Sequence, residues 1–82
     1  MKDKAALAEE VRRQLKHIAP DVEPDELGPD QDMRDELDLD SMDFLRLLEA
    51  LSKSVGVAIP EADYAKVTTL AKMVDYLAAH QP

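Results

Sequence analysis

Asp40-Ser41-Met42-Asp43-Phe44-Leu45-Arg46-Leu47-Leu48-Glu49-Ala50-Leu51-Ser52-Lys53-Ser54-Val55-Gly56 reads as one helix with both ends marked. Asp40 is a good N-cap, and Asp43, three residues on, stands as in a capping box. Gly56 supplies a stop. Wound at 3.6 residues per turn, the stretch puts Phe44, Leu47, Leu48, Leu51 and Val55 on one face. Met42, Leu45, Arg46, Glu49, Ala50 and Lys53 fall on or near the other side. The pattern predicts a helix from Ser41 to Val55 with its apolar stripe toward a core. It also puts the Ser41 hydroxyl in the first turn, where free N–H groups and the positive end of the helix dipole favour an anion.

On the N-terminal side, Leu7, Val11, Leu15 and Ile18 recur every three or four residues, joined by Ala8, which predicts a helix from Lys4 to Ile18. Pro20, Pro24, Gly28 and Pro29 forbid a continuous helix through the next stretch, so residues 19–40 are expected to form a long loop with room for one short turn. Leu27, Met33, Leu37 and Leu39 are the candidates to pin it to the core. On the C-terminal side, Val57-Ala58-Ile59 is extended because a residue before proline avoids the helical region. Pro60 to Lys66 is expected to be one short helix with Tyr64 and Val67 turned inward. Thr68 or Thr69 caps a last helix whose stripe is Leu70, Met73, Val74 and Leu77 and which ends near Ala79. The fold class is all-α: a small four-helix bundle, three main helices plus one short one, as a single domain over residues 1–82.

The formal net charge of −8 is unevenly placed. Residues 1–19 hold five basic and three acidic residues, residues 20–40 ten acidic residues and only Arg34, and residues 41–82 four basic and five acidic. A field of this sign argues against nucleic acid or anionic lipid and for basic partners near Ser41. Acidic loops that merely aid solubility are the plain alternative. No segment approaches the roughly 20 apolar residues of a membrane span, so no membrane insertion is expected. Met1-Lys2-Asp3-Lys4-Ala5 leads into charged residues, unlike a signal core. The chain has no cysteine. That removes a disulfide scaffold and a thiolate nucleophile, and it fits a reducing cytoplasm.

As a catalytic nucleophile, Ser41 would need a base and an oxyanion hole. The only histidines are His17 and His80, and neither has a context that supports a triad. No catalytic residues are assigned. An EF-hand reading of Asp30, Asp32 and Glu36 fails because Arg34 stands where a ligand is needed, Asp35 where glycine is needed and Ser41 where the bidentate glutamate belongs. No metal site is assigned; weak cation binding is all that the acidic loop offers.

Four stretches in order resemble the acyl carrier proteins, the discrete phosphopantetheine carriers of the bacterial type II kind. Asp40-Ser41-Met42-Asp43 is like the family's Asp-Ser-Leu attachment site, and Leu47-Leu48-Glu49-Ala50-Leu51 is like the middle of its second helix. Ile59-Pro60-Glu61-Ala62-Asp63 is like the start of its third helix, and Val67-Thr68-Thr69-Leu70 is like the start of its last. The resemblance implies that Ser41, flanked by Asp40 and Met42, carries 4′-phosphopantetheine delivered from coenzyme A by a phosphopantetheinyl transferase with Mg²⁺. The arm's thiol would hold acyl groups as thioesters for acyl-loading and acyl-transferring enzymes with basic surfaces. A monomeric cytoplasmic carrier with no catalysis of its own is expected. Such a protein needs neither cysteine nor base, since the cofactor brings the sulfur and the partners do the chemistry.

Partner recognition in the family uses the outer face of the second helix, which here carries Met42, Leu45, Arg46 and Glu49. Met42 and Leu45 would form a contact surface there, or else cover loop residues such as Leu39. Some members fold acyl chains into the bundle; here the apolar stripes are core first and a pocket second. Three departures stand out. Arg46 replaces a usual glutamate, Ser52-Lys53-Ser54 replaces a largely acidic helix end, and Asp38 replaces a common glycine before the serine. These point to a specialised lipid or secondary-metabolite pathway. A carrier of aminoacyl or aryl cargo on the same arm, and an acidic helical adaptor in which Ser41 is only a cap, are the competing readings.

Overall fold

The computed structural model describes residues 2–81. Its elements are α1 (Lys4–Ile18), a 3₁₀ turn (Pro24–Glu26), the single turn α2 (Met33–Glu36), α3 (Ser41–Val55), a 3₁₀ helix (Glu61–Lys66) and α4 (Leu70–His80). The three long helices make the bundle, and α1 packs against both α3 and α4. Among the described residues the one β-type contact is an isolated antiparallel bridge between Asp32 and Thr69.

Local chemistry explains where the long helices begin and end. The Asp3 side chain accepts from the Ala6 N–H at the start of α1, and the Thr69 side chain accepts from the Lys72 N–H at the start of α4. Gly56 ends α3 at φ 81°, a left-handed conformation that glycine adopts without steric cost. Helix α4 runs one residue past the expected Ala79.

The core is a single cluster. Leu7, Val11 and Leu15 of α1 meet Leu47 and Leu51 of α3 and Met73 and Leu77 of α4, all of them fully buried. Burying such a side chain contributes roughly 1.5–3 kcal/mol. Phe44, Leu48, Leu70 and Val74 are also buried as the stripes predict, while Val55 is only half-buried because it lies in the last turn of α3. Glu10 is a buried carboxylate on α1. It accepts from Gln14 Nε2 at 2.9 Å and from the Arg13 guanidinium. The Gln14 hydrogen bond holds its pKa below the usual range against desolvation.

The segment 19–40 is more ordered than a loop with one turn. It contains both the 3₁₀ turn and α2. The Asp32 carboxylate caps α2 by accepting from the Arg34 and Asp35 N–H groups at 2.9 and 3.2 Å. At the other end, the Leu37 N–H donates to the Met33 carbonyl and the Leu39 N–H to the Arg34 carbonyl. That is a Schellman-type close, with Asp38 at its left-handed position (φ 54°). Of the four expected anchors, Leu27, Met33 and Leu39 are buried, and Leu37 is half-buried against the core.

Two backbone hydrogen bonds fasten this segment to the start of α4. The Met33 N–H donates to the Thr68 carbonyl, and the Ala71 N–H donates to the Pro29 carbonyl, each at 2.9 Å. Pro60 precedes its helix as cap instead of beginning it, and the helix is 3₁₀ in form. Within and after it Tyr64 is half-buried and Val67 fully buried. Tyr64 meets Phe44 edge-on, with ring centroids 6.3 Å apart at 89°.

Candidate functional site

Ser41 is exposed and is the first residue of α3. The preceding segment fixes that position from both sides. The Schellman close of α2 turns Leu39 into the core, which leaves Asp40 as cap and Ser41 as the first helical residue. Asp40 Oδ1 accepts from the Asp43 N–H at 2.8 Å, and the Asp40 carbonyl accepts from the Phe44 N–H at 3.0 Å. The expected capping box is therefore half made. The Asp43 carboxylate instead lies 3.7 Å from the Arg46 guanidinium. Both acids beside Ser41 are thus engaged, one with the helix backbone and one with a cation. Helix geometry leaves the Ser41 and Met42 N–H groups without carbonyl partners inside the helix.

A groove of about 520 Å³ opens beside the hydroxyl. It is lined by Arg34, Ser41, Met42, Phe44, Leu45, Tyr64, Ala65 and Thr68. Phe44 and Tyr64, whose rings meet edge-on, are both part of its lining. The Arg34 guanidinium carbon stands 5.8 Å from the centroid of the Phe44 ring, a cation–π arrangement.

The residues expected on the outer face of α3 divide. Met42 is a large apolar side chain left 58 % exposed. Arg46 and Glu49 are exposed, whereas Leu45 is half-buried at the groove wall. Leu39 is buried in the core cluster. Among the described residues no three histidine, aspartate or glutamate side chains are grouped to hold a metal ion. No helix there is long and apolar enough to cross a membrane.

Reading the sequence did not place Arg34, Ala65 or Thr68 beside Ser41, and it treated Phe44 and Tyr64 as core only. One signal was available. Arg34 is the single base in a stretch with ten acids.

Comparison with known proteins places the chain in a family. Residues 5–77 match the family model described as "Phosphopantetheine attachment site". An acyl carrier protein of Rubrobacter xylanophilus is 33 % identical over 76 residues, covering 89 % of this chain and 94 % of the relative. One from Lactobacillus johnsonii is 33 % identical over 60 residues, covering 73 % and 75 %. The solved structure of the acyl carrier protein from Enterococcus faecalis superposes with a TM-score of 0.71 at 27 % identity, covering 90 % of this chain and 98 % of that one. The chain therefore belongs to the acyl carrier protein family, whose prosthetic group is a covalently attached 4′-phosphopantetheine.

Proposed function

We propose that Ser41 is the attachment residue and that the protein is a discrete carrier serving a dedicated lipid or secondary-metabolite pathway. The observation that carries this reading is the exposed Ser41 hydroxyl at the start of α3, with both neighbouring carboxylates already engaged. A phosphodiester there is favoured by the unpaired first-turn N–H groups and the helix dipole. When bound, the arm supplies a terminal thiol that holds cargo as a thioester. The chain's own residues orient it: Asp40 fixes the first turn, and the apolar walls from Met42, Leu45 and Ala65 give the proximal arm a surface to lie on.

Membership of the family implies work with a phosphopantetheinyl transferase and with acyl-handling enzymes. We assign their contact to Met42, Leu45, Arg46 and Glu49, in a monomer acting in the cytoplasm with no catalysis of its own. The specialised pathway is supported by the near-neutral α3, in which Asp43 and Glu49 are matched by Arg46 and Lys53. Such a surface complements strongly basic enzyme faces less well than an acidic helix does.

The test is to incubate the protein with coenzyme A, Mg²⁺ and a broad-specificity phosphopantetheinyl transferase and to measure its mass. The protein gains the phosphopantetheine mass, and Ser41→Ala gains nothing. Absence of any gain across several transferases would favour the adaptor reading.

A further inference from the structure

We propose that Arg34 is the cation that holds the phosphodiester on Ser41, and so sets the direction in which the arm leaves the protein. This rests on Ser41 being the attachment residue. Three observations converge on it.

The first is placement. Arg34 belongs to α2, whose backbone is fixed by the Asp32 cap and by the Leu39 N–H bond to the Arg34 carbonyl. Its guanidinium lies over Phe44. Phe44 is three residues after Ser41, so the two side chains share one side of the first turn of α3, where such neighbours stand about 5–6 Å apart. Arg34 and Ser41 accordingly line the same groove.

The second is availability. Asp32, Asp35 and Asp38 line an adjoining pocket with Arg34, yet none of the ion pairs among the described residues uses it. An aromatic face orients a guanidinium without consuming its N–H donors. The exposed side chain is thus oriented by one ring face, with its hydrogen-bonding capacity unspent. Asp40 and Asp43, the carboxylates that would compete for it at the start of α3, have their own partners.

The third is chemistry. A phosphodiester carries one negative charge on two free oxygens, and the planar guanidinium fork matches that geometry. It also offsets part of the negative charge of the ten acids in residues 20–40, which otherwise oppose an anion at this point. An arm anchored at both the ester and the guanidinium leaves along the groove lined by Phe44 and Tyr64, and its swing begins from a defined direction.

The experiment loads wild type, Arg34→Gln and Arg34→Lys from coenzyme A, verifies each by mass, and records the ³¹P NMR signal of the phosphodiester. Wild type is expected to show a signal displaced from that of the same loaded chain in urea, with the displacement shrinking as salt is raised. Arg34→Gln is expected to lose the displacement and its salt dependence and to give a narrower line from faster local motion. Arg34→Lys keeps the charge and retains most of the displacement. Amide spectra of the unloaded variants serve as the check that the fold is intact. Full loading with a glutamine-variant signal identical to wild type overturns the role of Arg34 alone. A lysine variant that loses the whole displacement overturns the charge argument. Failure of every chain to gain mass overturns the Ser41 attachment and this proposal together.

Discussion

Asp38 adopts a left-handed backbone at φ 54°, three residues before Ser41. For most side chains this conformation costs about 1–2 kcal/mol, and aspartate tolerates it better because its short polar chain can bond locally. Glycine pays no steric cost but loses more freedom on folding, by about 0.5–1 kcal/mol. Asp38→Gly is therefore expected to be neutral or stabilising by up to about 1 kcal/mol, and Asp38→Val to be destabilising by about 1–2 kcal/mol. Urea unfolding checks this, with the midpoint moving at unchanged slope. The consequence reaches Ser41 because the same turn sends Leu39 into the core and leaves Asp40 to cap α3. A variant that frays the turn should also load more slowly with a transferase. The position of Ser41 at the start of α3 was legible from its cap. The place of Arg34 beside the same groove was not, because the ring under its guanidinium belongs to another helix.

At the scale of elements, legibility followed length and capping. Helices α1 and α3 each run 15 residues between the ends that their sequence marks. Their four turns give the apolar period room to show, and aspartate caps fix their starts. Helix α2 is four residues long, barely one period, so no stripe can announce it. What holds it is the Asp32 cap, the burial of Met33 and the Thr68 carbonyl, and the last comes from a segment far along the chain. The groove was hidden for the same reason, since α2, α3 and residues 64–68 supply it together. On α3, Arg46 stands exposed where fatty-acid carriers usually have glutamate, and it pairs only at 3.7 Å with Asp43. Arg46→Glu should strengthen binding to basic-surfaced fatty-acid enzymes about two- to fivefold at low salt, a gain that fades as salt rises. Unchanged or weaker binding would count against the specialised-pathway reading.

Across the whole molecule, the short 3₁₀ helix is tied to α4 by one strong side-chain bond. The Tyr76 hydroxyl donates to Asp63 Oδ2 at 2.6 Å. That bond, aided by Lys66, holds the Asp63 carboxyl below its usual range against desolvation, and it raises the Tyr76 phenol. Asp63 has a lower pKa folded than unfolded, so its contribution is present above about pH 4 and is lost as pH falls through the folded value. Tyr76 has a higher pKa folded than unfolded, so its contribution is full below about pH 10 and is lost as pH rises through the folded value. Tyr76→Phe is expected to lower the unfolding midpoint throughout the window between those limits. The deficit against wild type should close in acid, as paired denaturant titrations at neutral and low pH would show. The two backbone bonds joining residues 29–33 to 68–71 have a different reach. An N–H in the first turn of a helix ordinarily trades its proton with solvent almost freely. That of Ala71 is closed by Pro29, so deuterium uptake at Ala71 and Met33 should be slow and should accelerate in step when either contact is cut. The acidic segment that delivers Ser41 and the opening turn of α4 would then breathe as one cooperative unit.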